Sequence, residues 1–356
     1  MKLMIVADDL TGALDSAAPF AMAGLRTEVL RRVAGPVTVD PAVEVLAIST
    51  GSRDGTPEAA AQKVAAVLDA LPGLPALVMK KVDSRLKGHL AIETALLARR
   101  AGRERLLVLP AIPELGRVVA AGAVDGRGVD RPIPVAPRFA PLNIVAPDCA
   151  TDADLDAALA AGPLGDRLMV GARGLSQALA RRIGGAATAP APRLAAPFRM
   201  AIGSRDPITL AQVAALDGIV AEPAPDGAVA PEDAGGAVTL VQMTAGATPC
   251  PAPVAGSRFA RGVAARLRAA PPATLLACGG ETADALLAEL AIDRLHLAGD
   301  ILPGVPLAFA RLGDRPLAIL TKSGGFGDVD SLRRLVAMVR KDSGSAGTSL
   351  PVGATT

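Results

Sequence analysis

"LMIVADDLTGALDSAAPFAMAG", residues 3–24, reads as two elements joined by a turn. Residues 3–7 are an unbroken apolar run of strand length, the pattern of a strand buried on both faces. From Gly12 onward the residues favour a helix. Between them Asp8 and Asp9 leave the strand, Thr11 and Gly12 make the turn, and Asp15 falls in the first helical turns. Asp9 and Thr11 would serve as helix caps. Two adjacent carboxylates and a third at Asp15 exceed what a cap needs.

The same unit recurs downstream. "VEVLAIST" (43–50) precedes "PEAAAQKVAAVLDAL" (57–71), and "ALVMKKVD" (76–83) precedes "HLAIETALLARRAG" (89–102). Val64, Val67, Leu68 and Leu71 fall at i, i+3, i+4 and i+7, as do Leu332, Leu335, Val336 and Val339, so these helices each present one apolar stripe to a sheet. Alternation of this kind predicts an α/β fold of mostly parallel sheets flanked by helices.

A chain of 356 residues is long for one core and suits two domains. The aperiodic Pro/Ala stretch "AATAPAPRLAAP" (186–197) marks the boundary, after which "FRMAIGS" and "PITLAQVAALDG" resume the alternation. The expected domains are 1–190 and 198–342, with a disordered tail over 343–356. "EPAPDGAVAPEDAGG" (222–236) reads as a surface excursion.

Lys and Arg total 37 against 35 Asp and Glu, and six Phe are the only aromatic residues, so neither a nucleic acid nor an anionic membrane is an expected partner. The opening "MKLMIVADDL" is neither a signal peptide nor a membrane span, which makes a cytoplasmic location the expectation. Cys149, Cys250 and Cys278 are scattered and read as small buried residues, not as zinc ligands or disulfides. With two histidines, His89 and His296, a Ser-His-Asp triad has little material.

Ligands of open parallel sheets bind at the carboxyl ends of strands. After the fourth strand, "KKVDSRLKGH" (80–89) interleaves Lys80, Lys81, Arg85 and Lys87 with Asp83 and Ser84. This is either a solvated loop or a clamp for a carboxylate or phosphate. "PAIPELGR" (110–117) adds Glu114 and Arg117. The later half differs: "AIGSRD", "ACGGETAD" and "TKSGGFGD" each end a strand with glycine and a hydroxyl or carboxylate residue. Glycine beside a helix N-terminus lets backbone N–H groups meet phosphate, and Thr282 would open such a helix. Gly324, Gly325 and Gly327 would leave room for a nucleotide, with Phe326 packing nearby. Neither a P-loop nor a dinucleotide fingerprint is present.

As an ordered series, "IVADDLTGALD", "KKVDSRLKGH", "PAIPELGR", "GSRDPITLAQ", "CGGETAD", "ILPGVP" and "TKSGGFGD" resemble the four-carbon acid sugar kinase family from residue 1 to about 340. The resemblance implies an ATP-dependent kinase acting on threonate, erythronate or 3-oxo-tetronate, with the active site in an interdomain cleft. It assigns Asp8, Asp9, Lys81, Asp83, Ser84, Arg85, Glu114 and Arg117 to the sugar acid. Ser204, Gly279, Gly280, Glu281, Thr282 and Gly324 go to ATP. Asp9 is the expected base, with Asp8 as alternative, and Arg85 and Lys81 hold the acid carboxylate or the transferring group. Phosphoryl transfer implies Mg2+, for which no ligand residues are named, and a homodimer is compatible. Gly325 stands where family members often carry an amide or hydroxyl, and residues 125–150 are condensed. The alternatives are a ribokinase-like sugar kinase with Asp328 as base and a non-catalytic acid-sugar or nucleotide sensor.

Overall fold

The computed structural model describes residues 1–185, 193–231, 235–248 and 250–343. The expected tail lies, from residue 344, outside the described residues, as do residues 186–192 of the expected linker. The chain divides into two compact units: Met1–Pro190 with Ala291–Ala310, and Ala191–Leu290 with Arg311–Thr356. The second half is therefore not one contiguous body, because residues 291–310 pack with the first unit.

In the first unit the elements run β1 (Leu3–Ala7), α1 (Leu10–Met22), β2 (Thr27–Leu30), β3 (Val45–Ser49), α2 (Pro57–Ala70), β4 (Leu77–Lys81), α3 (Leu90–Ala101) and β5 (Arg105–Leu109). There follow β6 (Arg117–Ala120), β7 (Ala123–Gly126), β8 (Ile133–Pro134), α4 (Ala136–Phe139), β9 (Ile144–Val145), α5 (Asp152–Ala160), β10 (Arg167–Gly171) and α6 (Arg173–Ile183). Strands β2-β3-β1-β4-β10-β5-β9 form a parallel sheet in that order. The return segment brings β15 (Arg294–Leu302), which pairs antiparallel with β2 and with the start of β16 (Val305–Leu312). Strands β6-β7-β8 form a small antiparallel sheet.

The second unit contains β11 (Phe198–Ile202), α7 (Pro207–Ala214), β12 (Ala221–Pro225), β13 (Val238–Thr244), α8 (Ala252–Ala269), β14 (Thr274–Cys278), α9 (Gly280–Glu289), β17 (Arg315–Lys322) and α10 (Ser331–Ser343). Its parallel sheet has the order β12-β13-β11-β14-β17. The stretch read as a surface excursion thus begins with a strand. Pro223 and Pro225 are tolerated there because β12 is an edge strand, whose outer N–H positions need no partner.

β1 is 0% exposed along its length, as a strand covered on both faces must be. Both apolar helix stripes are buried: Val64, Val67, Leu68 and Leu71, and Leu332, Leu335, Val336 and Val339. Burying each such side chain contributes about 1.5–3 kcal/mol relative to exposure. Cys149 and Cys278 are buried, whereas Cys250 is partly exposed, and all three are free thiols. Among the described residues no helix is long and apolar enough to cross a membrane.

Candidate functional site

Parallel register fixes what can meet in the first unit. Ser49, Ala7, Lys81, Gly171 and Leu109 are register partners across β3-β1-β4-β10-β5, so the segments that follow these strands emerge along one edge. After β1, Asp9 is the N-cap of α1: its Oδ1 accepts the Gly12 N–H at 2.9 Å and its Oδ2 accepts the Thr11 hydroxyl at 2.8 Å. The capping role is real, and both oxygens do more. Arg53, in the loop after β3, donates to Asp8 (2.8 and 2.9 Å) and to Asp9 (2.7 and 2.9 Å), so one guanidinium holds two carboxylates.

Asp8 is 0% exposed. Burial pushes its carboxyl up, but the Lys80 charge, the Arg53 hydrogen bonds and the Lys81 charge together outweigh burial and hold it below the usual carboxylate range. Burial also disfavours the Arg53 charge, and the two aspartates reverse that, so Arg53 stays above its ordinary value.

The adjacent lysines of β4 have opposite fates. Lys80 is paired with Glu93 of α3 at 2.8 Å, both fully buried, and is thereby used up structurally. Lys81 is 5% exposed and makes no ion pair among the described residues. Its Nζ lies 3.1 Å from where a side chain on Gly12 would begin, which places it beside Asp9. A buried ammonium without a carboxylate of its own is an anion receptor in waiting.

The loop after β4 continues the site. Asp83 accepts the Arg85 N–H at 2.8 Å, and its charge acts on both Arg53 and Arg117. Arg117, at the start of β6, donates to Ser84 Oγ and to the Arg127 carbonyl (2.7 and 3.1 Å). Burial, and then the charge of Arg85, lower its pKa. Arg85 is exposed and makes no ion pair among the described residues. Two cations that repel each other, Arg85 and Arg117, favour an anionic guest.

Among the described residues Glu114 makes no hydrogen bond or ion pair with these groups. It accepts from Arg173 Nε at 2.7 Å and from Gln177 at 2.8 Å. Arg173, at the start of α6, also donates to Asp15 (2.9 Å) and Asp300 (2.5 Å), so three carboxylates surround one guanidinium that is 4% exposed. Burial pushes the Asp300 carboxyl up to about 6, and Arg173 reduces that rise only in part.

In the second unit, Ile202, Cys278 and Lys322 are register partners across β11-β14-β17, which brings together the three glycine-containing turns singled out in the sequence. The Ser204 N–H donates to the Cys278 carbonyl at 3.2 Å, and the Gly279 N–H donates to the Lys322 carbonyl at 2.8 Å. Gly279 is the N-cap of α9 with φ +108°, a conformation L side chains rarely adopt, and Gly280, Glu281 and Thr282 form the helix's first turn. The first N–H groups of such a helix lack helical partners and suit phosphate oxygens. Glu281 is exposed, while Thr282 is buried against Gly203.

The space beside Gly324 is taken by protein: a Cβ there would sit 2.2 Å from Ser204 Oγ and 2.9 Å from Asp206 Cβ. Likewise Gly327 makes room for Ser331. These two glycines let turns pack on one another, whereas Gly325 is exposed with its nearest outside atom at 3.4 Å. Asp328 is occupied by Ser331 (3.1 Å) and Arg334 (2.7 and 2.8 Å) at the start of α10. Asp328 thereby braces the start of α10.

Sequence reasoning missed Arg53, Arg173, Asp300 and Lys322. Arg53 could have been found by inspecting the end of the third strand, "STGSRDG", as the others were.

Residues 3–132 match a family described as a sugar-binding N-terminal domain, and residues 229–332 one described as a nucleotide-binding C-terminal domain. A D-threonate kinase of Bordetella bronchiseptica is 32% identical over 95% of this chain and 97% of its own length. A D-erythronate kinase of Heliobacterium modesticaldum is 34% identical over 34% of this chain and 28% of its own. A Salmonella typhimurium LT2 protein of known structure shares the fold: TM-score 0.73, 20% identity, 94% of this chain and 98% of that one. A Haemophilus influenzae protein does so with TM-score 0.69 and 20% identity, over 94% of this chain and all of its own. Similarity to a kinase over almost the full length of both proteins, together with a sugar-binding and a nucleotide-binding match in the expected order, establishes that the chain belongs to the four-carbon acid sugar kinase family.

Proposed function

We propose that the protein is an ATP-dependent kinase that phosphorylates a hydroxyl of a four-carbon sugar acid of the threonate or erythronate type. The observation that carries this reading is the edge of the first unit, where Lys81 lies beside two aspartates clamped by Arg53 and the loop that follows Lys81 brings Arg85 and Arg117 within each other's field. Cations suit the acid's carboxylate, and the carboxylates suit its hydroxyl groups. The named relatives, a D-threonate and a D-erythronate kinase, support that substrate class.

Asp9 is the better base of the two aspartates. Arg53 reaches both oxygens of each, but the Asp9 side chain is 24% exposed and open to a substrate hydroxyl, whereas that of Asp8 is 0% exposed. Asp8 then keeps Arg53 in place. Lys81 and Arg85 orient the acid, and Arg117 braces the loop through Ser84. Glu114 and Arg173 shape the neighbouring wall. In the second unit Ser204, Gly279–Thr282 and Gly324 provide the nucleotide site, in which the first N–H groups of α9, from Gly280 onward, bind phosphate, while those of Ser204 and Gly279 hold the turns together.

Among the described residues no three His, Cys, Asp or Glu side chains converge as a metal site. This suits a magnesium ion that arrives on the nucleotide phosphates and keeps several waters. The ion would neutralise charge developing on the transferred group. Asp9→Asn tests the assignment: turnover of the preferred acid should be abolished while acid binding persists, and Asp328→Asn should leave turnover intact. Loss of turnover only in the Asp328 variant would overturn the assignment of Asp9 as base.

A further inference from the structure

Lys322 ends β17 at the edge of the nucleotide site, where a lysine would ordinarily be read as a phosphate ligand. Its side chain is turned inward. It is 1% exposed, and Nζ donates to the Ser323 carbonyl (3.1 Å), the Gly324 carbonyl (3.2 Å) and Thr209 Oγ1 (3.2 Å), with Cys278 Sγ at 3.9 Å. An ammonium has three donors, and these acceptors take all of them. Burial lowers the Lys322 pKa, as expected for a cation held by neutral oxygens.

The loop is tied from beneath at further points. Thr209 Oγ1 donates to the Gly324 carbonyl at 2.7 Å, and Gln212 Nε2 donates to the carbonyls of Phe326 (3.0 Å) and Asp328 (2.7 Å). In a planar trans peptide the C=O and the following N–H point in opposite directions. Drawing the carbonyls of residues 323 and 324 inward therefore turns the N–H groups of Gly324 and Gly325 away from the core. Neither N–H has an acceptor among the described residues.

We propose that the consecutive N–H groups of Gly324 and Gly325 form a phosphate subsite for the nucleotide, and that Lys322, with Thr209, positions it without touching the ligand. This rests on the nucleotide-site reading above and sharpens it, since two adjacent backbone N–H groups make an anion-binding nest.

The test is calorimetric titration of the wild-type protein, Lys322→Met and Thr209→Val with ADP and with adenosine. Thermal melts confirm that each variant is folded. Losing oriented donors to a charged oxygen should weaken ADP about ten- to hundred-fold in Lys322→Met. In Thr209→Val the loss should be smaller but in the same direction, with adenosine unchanged in both. Thr209→Val decides the case if Lys322→Met does not fold, because it leaves the ammonium in place. Unchanged ADP affinity in Thr209→Val with loss in Lys322→Met would mean that Lys322 is itself the ligand. Unchanged affinity in both would remove the subsite. Either overturns the proposal, whereas failure of the wild-type protein to bind ADP would instead overturn the nucleotide reading on which it rests.

Discussion

Replacing Arg53 by Met should destabilise the first unit by about 3 kcal/mol. Removing one partner of a buried ion pair costs about 3–5 kcal/mol because the other charge is left uncompensated. The low end applies here, because the Arg53 side chain is 21% exposed and Lys81 remains near Asp8. Lys80, whose charge acts on Asp8 more strongly than that of Lys81, also remains, although it is paired with Glu93 at 2.8 Å. The cost should depend on pH with a defined sign. Asp8 is held below its ordinary value, 3.8, in the folded wild type, so its contribution is present above that value and lost as pH falls through the lower folded one. The Arg53→Met penalty should accordingly be full near neutrality and shrink in acid. Asp8→Asn removes the buried charge, so the double variant should be more stable than the sum of the single losses predicts, by about 2 kcal/mol. Urea unfolding followed by circular dichroism at pH 7.5 and in acid well below the ordinary carboxyl value measures all four proteins. A loss under about 0.5 kcal/mol in Arg53→Met, or strict additivity with Asp8→Asn, would refute the claim that one guanidinium holds both carboxylates.

Asp300 should behave in the opposite sense. Its folded pKa of about 6 lies above the ordinary 3.8, so the folded state binds the proton more tightly and this contribution to stability is lost as pH rises from about 4 to 6. Asp300→Asn, which cannot titrate, should gain on the wild type by up to about 2 kcal/mol between pH 4.5 and pH 7.5, read from melts at both values. At the glycine turn, Gly324→Ala forces a contact at 2.2 Å with Ser204 and should cost about 1–3 kcal/mol and weaken ADP binding. Gly325→Ala meets its nearest outside atom at 3.4 Å and should leave the melting temperature within a degree or two.

The βα units were legible because their signals are local. The run at residues 3–7, the cap at Asp9 and the stripe from Val64 to Leu71 are each set within a single strand or helix. What connects them was not. Arg53 meets Asp8 only because β3 lies beside β1, and strand order is a property of the folded sheet. Arg173 gathers partners 59, 127 and 158 residues away. No local pattern announces such a contact.

The return of residues 291–310 to the first unit was hidden for the same reason. Apolar residues on β15 and β16 fit either core, and only the antiparallel pairing with β2 decides between them. The glycines of "TKSGGFGD" were read as leaving room for a nucleotide, and a close approach is found at Gly324 and Gly327 but not at Gly325. The approaching group at Gly324 is nevertheless Ser204, a protein atom. Sequence shows that a side chain is absent and leaves open what takes its place.

The most direct test of the central claim is ADP release from Mg-ATP in the presence of D-threonate, D-erythronate and 3-oxo-tetronate stereoisomers, run with the wild-type protein and Asp9→Asn. The account predicts strong turnover of at least one four-carbon acid by the wild type and none by the variant. Binding of both nucleotide and acid without ADP release from any of them would contradict it.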